Sequence, residues 1–305
     1  MAKRTKDRDL VMTCAPLRVS FAGGGTDLCD FYEKEDGVVV SSAIDKFVYV
    51  TIKRHGRIFR ENYRLNYAAT EHVNELDEIK NDIARECLRL VPVEPPLYIS
   101  TVGDVPAESG LGGSSSFAVA LLKGLHAMRG ERISPSQLAE EAAHVEIDVL
   151  ARPIGKQDQS AAAYGGFNCF RFLANGTTSL EPHSPISVDL GSLFEHIQMF
   201  WTGIARESAS VLTEQKQRTG DNIEYLRAMR DQAEELNGLM RRELDIELFG
   251  RVLDEGWKLK KELASSISSS EIDAWYERAR GAGALGGKLC GAGGGGFLLF
   301  VARPE

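Results

Sequence analysis

The chain is poor in the residues that build zinc sites, disulfide frameworks and membrane spans. Its five cysteines and six histidines are scattered over 305 residues, with no Cys-X-X-Cys pair and no His-Glu-X-X-His segment. That spacing argues against a structural or hydrolytic zinc site. Cys14, Cys29, Cys87, Cys169 and Cys290 are odd in number and sit mostly among apolar neighbours, as reduced thiols of a cytoplasmic protein do. No apolar run reaches the ~20 residues that a membrane-spanning helix needs. The charged residues 1–9 have no apolar core behind them, so they read as a loose tail and not as a secretory signal. Positive charge is also in deficit. The 36 Lys and Arg face 44 Asp and Glu, and a net charge of −8 argues against broad nucleic-acid binding while allowing a local basic pocket.

Glycine, by contrast, is plentiful, and it gathers in three stretches. Cys14 to Ala22 reads as a strand, with Leu17, Val19 and Phe21 alternating against Arg18 and Ser20, and it runs into Gly23-Gly24-Gly25-Thr26-Asp27. The second stretch, Pro106-Ala107-Glu108-Ser109-Gly110-Leu111-Gly112-Gly113-Ser114-Ser115-Ser116, leads directly into an apolar helix from Phe117. Glycines there let backbone N–H groups approach a ligand, and the helix start adds free N–H groups and a positive dipole end. Together they make an anion cradle. Read alone, the same loop also fits a Gly/Ser connection before a buried helix. The third stretch spans Gly281 to Gly296 and passes into the strand Phe297 to Val301, which implies close backbone approach. None of the three is a Walker A loop or a dinucleotide fingerprint.

Between these stretches the chain alternates irregularly. Val38 to Lys53 reads as one long strand or two paired ones, Asn74 to Leu90 as a helix, and Leu97 to Val102 as a strand. Ser134-Pro135-Ser136-Gln137 is a helix start that leads to Glu146 on an alanine-rich helix. The segment Gly155-Lys156-Gln157-Asp158-Gln159 places a carboxylate beside a lysine, a candidate acid/base centre or a solvated loop. Asn-Gly, prolines and serines cluster over 174–192 and mark a domain boundary, giving units at 10–185 and 192–305. A strand over 195–201 is followed by Thr202-Gly203, read as a helix start. Two longer helices over 223–243 and 248–264 carry charged faces that read as solvated surface. Helices and strands follow one another too irregularly for a simple doubly wound sheet.

Taken together, Ala15 to Asp27, Pro106 to Ser115 and Gly291 to Gly296 stand in the order of the three motifs of a known superfamily. The chain resembles the galactokinase, homoserine kinase, mevalonate kinase and phosphomevalonate kinase (GHMP) superfamily over nearly its whole length. That resemblance implies a two-domain α+β fold. Its N-terminal domain would be like the second domain of ribosomal protein S5 and its C-terminal domain ferredoxin-like, with ATP and sugar in the cleft between them. It implies that Asp158 is the catalytic aspartate, with Arg18 beside it. Pro106, Gly110, Leu111, Gly112, Gly113, Ser114, Ser115 and Ser116 would hold ATP, and Ser114 with Glu146 would hold Mg²⁺. Gly24, Gly25, Thr26, Asp27, Gly293 and Gly294 would border the substrate.

The departures are informative. Galactokinases carry glutamate and histidine where this chain has Gly24 and Gly25, so galactose is disfavoured as the substrate. Gly113 stands where many members have serine. Within the superfamily, Pro16 to Asp27, Gly112 to Phe117, Gly155 to Gln159 and Phe200 to Arg206 resemble the D-glycero-α-D-manno-heptose 7-phosphate kinases. The resemblance implies transfer of phosphate from ATP to the anomeric hydroxyl, giving the 1,7-bisphosphate on the route to GDP-heptose. Lys156, Arg206 and the helix start at Thr202-Gly203 are the candidate ligands of the existing phosphate. The alternative is an anomeric kinase of an unphosphorylated sugar such as fucose or a uronic acid. A non-catalytic ATP- or sugar-responsive protein is a third reading, against which the intact Ser114, Glu146 and Asp158 argue. The expected partner is a small sugar phosphate, with no nucleic acid and no membrane, and the sequence leaves monomer and homodimer both open.

Overall fold

The computed structural model describes residues 8–56, 58–183, 189–205, 209–241 and 244–304. The mixed α+β class is as expected. The first half is organised by one long strand. β1 (Leu10–Ala22) and β2 (Gly37–Arg54) flank a one-turn helix α1 (Cys29–Tyr32), and β2 is a single strand of 18 residues. β1 pairs antiparallel along one edge of β2. Next come β3 (Tyr63–Asn66), β4 (Thr70–Val73), α2 (Asp82–Leu90) and β5 (Leu97–Gly103). Helices α3 (Gly113–Met128), α4 (Pro135–Ala143) and α5 (Gln157–Tyr164) precede the hairpin β6 (Phe167–Phe172) and β7 (Thr178–His183). The other edge of β2 is shared, its start pairing with β6 and its end with β5. The sheet has seven strands, all antiparallel neighbours except β3 with β5.

Two sequence expectations change here. The helix expected over 74–90 is a 3₁₀ turn at Leu76–Glu78 followed by α2. The break is caused by Glu71, whose carboxylate accepts from Lys80 N and Asn81 N, while the Asn81 side chain caps α2 through Ala84 N. The Asn175-Gly176 pair, placed in a boundary segment, is instead the turn of the β6–β7 hairpin, with Gly176 at φ +83°.

The second half contributes α6 (Leu190–Glu195), β8 (Ile197–Trp201), α7 (Ala209–Gln217), α8 (Ile223–Leu239), α9 (Ile246–Leu263), α10 (Ser270–Gly281), β9 (Gly286–Leu289) and β10 (Phe297–Val301). Its antiparallel sheet has the order β8-β10-β9 among the described residues. No helix begins at Thr202-Gly203. The Thr202 hydroxyl donates to Gly296 O at 2.8 Å, which ties this turn to the third glycine stretch, and α7 starts seven residues later. The sheets divide between His183 and Ile197, but the apolar core does not. Leu17, Val19 and Phe21 of β1 share one buried cluster with Ala233, Leu236, Phe249 and Leu299. Phe21 stacks on Phe167 at 5.4 Å and meets Phe249 edge-on at 5.3 Å. At about 25 cal/mol per Å² of apolar area, such a seam holds two sheets as one body. No helix among the described residues is long and apolar enough to cross a membrane.

Candidate active site

A cleft of about 820 Å³ lies where β1, the loop before α3, the segment leading into α5 and the third glycine stretch converge. Its floor is set by α3. Gly112 caps this helix with φ +78°, and Glu108 and Gly110 also adopt positive φ, so the loop folds back on itself above the helix start. The glycine at 110 is required by contact. A Cβ there would sit 2.6 Å from Cys290 O, and one on Gly291 would sit 2.5 Å from Gly110 Cα. The second and third glycine stretches therefore touch backbone to backbone.

Arg18 enters this floor from β1. Its Nε and Nη2 donate to Asp158 Oδ1 and Oδ2 at 2.7 and 2.8 Å, and Nη1 donates to Gly110 O at 2.8 Å. The guanidinium is nearly buried and fixes Asp158, in the first turn of α5, as a two-pronged pair. Asp27 also lines the cleft, although it is almost wholly buried. It accepts from Gly25 N at 3.0 Å and Gln157 N at 3.2 Å, and Gly155 leaves it room, since a Cβ there would lie 2.0 Å from Oδ2. Burial, with the charge of Asp158 added, raises the Asp27 pKa to about 6. Its geometry braces the Gln157-Asp158 backbone.

Glu146 is completely buried on a π-helical turn, His144–Val149, that continues α4. Such turns re-aim one side chain out of helical register. Its carboxylate accepts from Ser114 Oγ at 2.8 Å, Ser115 Oγ at 2.6 Å, Gln159 Nε2 at 2.8 Å and Arg152 Nη1 at 3.4 Å. Burial raises its pKa while these donors pull it down. Ser114 borders the cleft and its hydroxyl donates to the buried Glu146 carboxylate just behind it, so these two are the residues that could hold a divalent cation. Among the described residues no cluster of three or more His, Cys, Asp or Glu forms a closed metal cage.

Of the other anticipated residues, Pro106, Gly110, Gly112, Gly113, Ser115, Gly24, Gly25 and Gly293 border the cleft. Five are placed elsewhere. Leu111 is buried in the apolar seam, and the Ser116 hydroxyl donates to Pro16 O. Thr26 is fully buried and its hydroxyl donates to Gly23 O, while Gly294 N donates to Ile267 O. Lys156 turns its ammonium to Gly176 O at 2.8 Å and over the Tyr32 ring at 5.0 Å, away from the cleft lining. Arg206 lies outside the described residues.

Sequence reading missed Arg152, Gln159, Lys260 and Lys288. The charged face of α9 is not wholly solvated, because Asp254 and Lys260 are buried. Lys260 Nζ donates to Leu289 O and Gly291 O, and Lys288 Nζ donates to Phe21 O. Both lysines border the cleft. Burial, then the charge of Lys288, holds the Lys260 ammonium well below the usual lysine range, and burial lowers Lys288 to about 8. A buried lysine inside a charge-rich helical pattern leaves no periodicity signal of its own.

Residues 74–166 match the N-terminal domain of the GHMP kinases, and residues 233–305 match their C-terminal domain. The chain belongs to the GHMP kinase family. It is an ATP-dependent sugar kinase of that family. A D-glycero-alpha-D-manno-heptose 7-phosphate kinase from Campylobacter jejuni is 30% identical over 96% of this chain and 90% of its own length. A mevalonate kinase from Methanothermobacter thermautotrophicus is 28% identical over 85% of this chain and 82% of its own. Among solved structures, a D-glycero-D-manno-heptose 1-phosphate kinase from Bacteroides thetaiotaomicron is similar with a TM-score of 0.77, 26% identity and coverage of 97% and 89% of the two chains. In this GHMP kinase the three glycine stretches are thus brought to one cleft, with Arg18, Asp158 and Ser114 on its wall.

Proposed function

We propose that this protein transfers the γ-phosphoryl group of ATP to the anomeric hydroxyl of D-glycero-α-D-manno-heptose 7-phosphate, giving the 1,7-bisphosphate in GDP-heptose biosynthesis. The observation that carries the reaction type is the Arg18–Asp158 pair held beneath the glycine loop at the start of α3. The heptose-kinase relative at 30% identity supports the sugar.

In this reading the unit 10–185 carries the nucleotide loop and the unit 192–305 closes the cleft. Backbone N–H groups of the loop over 106–113 and of the first turn of α3 cradle the ATP phosphates. Ser114 and Glu146 would hold Mg²⁺, which when bound neutralises phosphate charge. Asp158 accepts the proton of the anomeric hydroxyl as its oxygen bonds to the γ-phosphorus and the bond to ADP breaks. Arg18 keeps the Asp158 carboxylate aligned and offsets charge on the transferring group. Asp27 fixes the backbone from which Asp158 projects.

Incubation with ATP and the heptose 7-phosphate, read by ³¹P NMR, tests the reading. A new anomeric phosphate resonance is expected. Turnover of free fucose or a uronic acid, with the 7-phosphate inert, would transfer the account to the unphosphorylated-sugar alternative. The position of Lys156 outside the cleft lining is the observation that favours that alternative.

A further inference from the structure

The three glycines of the first stretch are there for different reasons. Gly23 has φ +83° and a Cβ would lie 1.8 Å from Val38 O, while Gly25 has φ +100° and a Cβ would lie 2.5 Å from Gln215 Nε2. The fold itself demands glycine at both. Gly24 is not in the left-handed region, and a Cβ there would meet only Ser20 Oγ at 3.6 Å and Gln157 Nε2 at 3.8 Å, ordinary contacts. Neither backbone strain nor packing requires a glycine at this position, which opens on the cleft. Its two neighbours carry a second signal. Ser20 Oγ and Gln157 Oε1 are buried polar atoms with no hydrogen-bond partner among the described residues, and both residues border the cleft. Buried polar groups are rarely left alone, so this pair is short of a partner that the protein does not supply.

We propose that Ser20, Gly24 and Gln157 form a subsite that reads one ring hydroxyl of the acceptor, Gly24 leaving the space and Ser20 and Gln157 giving the polar contacts. A hydroxyl suits the pair because it donates and accepts at once, as a serine hydroxyl and an amide require. Gln157 precedes Asp158, so the subsite fixes the ring relative to the base. The inference rests on the acceptor being a sugar bound at this end of the cleft.

The test compares wild type, S20A and G24A in steady-state kinetics with the heptose 7-phosphate and its monodeoxy analogues, with ATP KM and thermal stability read alongside. S20A is expected to raise the acceptor KM about fivefold, the size of one neutral hydrogen bond. G24A is expected to raise it about tenfold, the scale of one added methyl group in a fitted pocket. ATP KM stays unchanged, and Tm stays within about 2 °C. One deoxy analogue loses the difference between wild type and S20A, a coupling that a merely structural serine would not produce. Unchanged acceptor KM in both variants overturns the subsite. If wild type turns over only a free sugar, the heptose-phosphate reading fails, and the same comparison on that sugar decides the subsite separately.

Discussion

Removing the Glu146 carboxylate would disturb the site and the fold together. The side chain is completely buried and accepts from Ser114, Ser115, Gln159 and Arg152. E146A leaves these donors without their shared acceptor, and breaking a buried charged pair by deleting one partner costs about 3–5 kcal/mol. That is a large share of the ~5–15 kcal/mol that holds a typical domain. At roughly 2–4 °C per kcal/mol, the midpoint of unfolding falls by about 6–20 °C. E146Q keeps the shape and one acceptor oxygen, and because burial already raises the Glu146 pKa, the neutral amide is the milder change. Its cost is about 1–3 kcal/mol, the penalty of one unsatisfied buried donor. Differential scanning calorimetry of wild type, E146Q and E146A gives the ranking. An E146A midpoint within about 2 °C of wild type would refute the buried network as a source of stability.

Three other outcomes follow from the same geometry. R18K keeps the charge but cannot reproduce the fork that holds both Asp158 oxygens and Gly110 O, so kcat/KM should fall by about 10–100-fold in steady-state assays. Asp27 has a folded pKa near 6 against 3.8 unfolded, so the native state binds the extra proton. Its contribution is therefore greatest below the unfolded value and is lost as pH rises through about 6. The difference in unfolding free energy between wild type and D27N should change by about 3 kcal/mol over that window in urea titrations. K260M removes the buried amino group that donates to Leu289 O and Gly291 O, and should lower both Tm and kcat, which calorimetry and a coupled ADP assay would show.

Strong local signals carried through from sequence to structure. The strand at β1 and the Ser134 cap accepting from Gln137 N at 3.2 Å are found where expected, and the three glycine stretches meet at one cleft, although β1 buries Arg18 and Ser20 along with their apolar neighbours. Short polar strands did not announce themselves. β4 and β7 carry Glu71 and Glu181, whose partners lie beyond the strands themselves, at Lys80 and Asn81 in the next turn and at Arg241 in the second half of the chain. β9 hides inside the third glycine stretch, where propensity opposes a strand and pairing with β10 decides it. At the site, Asp158 and Glu146 were legible as matches to motifs, but the π-helical turn under Glu146 and the buried lysines depend on tertiary packing. Lys156 illustrates the converse. Its place beside Gln157 and Asp158 suggested a ligand, yet it sits just before α5 as the capping residue, and its ammonium donates to Gly176 O over the Tyr32 ring.

The central claim is that Asp158, aligned by Arg18, takes the proton of the sugar hydroxyl. Single-turnover phosphoryl transfer by D158N, with ATP and heptose 7-phosphate both saturating, tests it most directly. The account predicts a transfer rate lower by about 10²–10⁴-fold, with nucleotide binding retained. A D158N rate equal to that of wild type would contradict it.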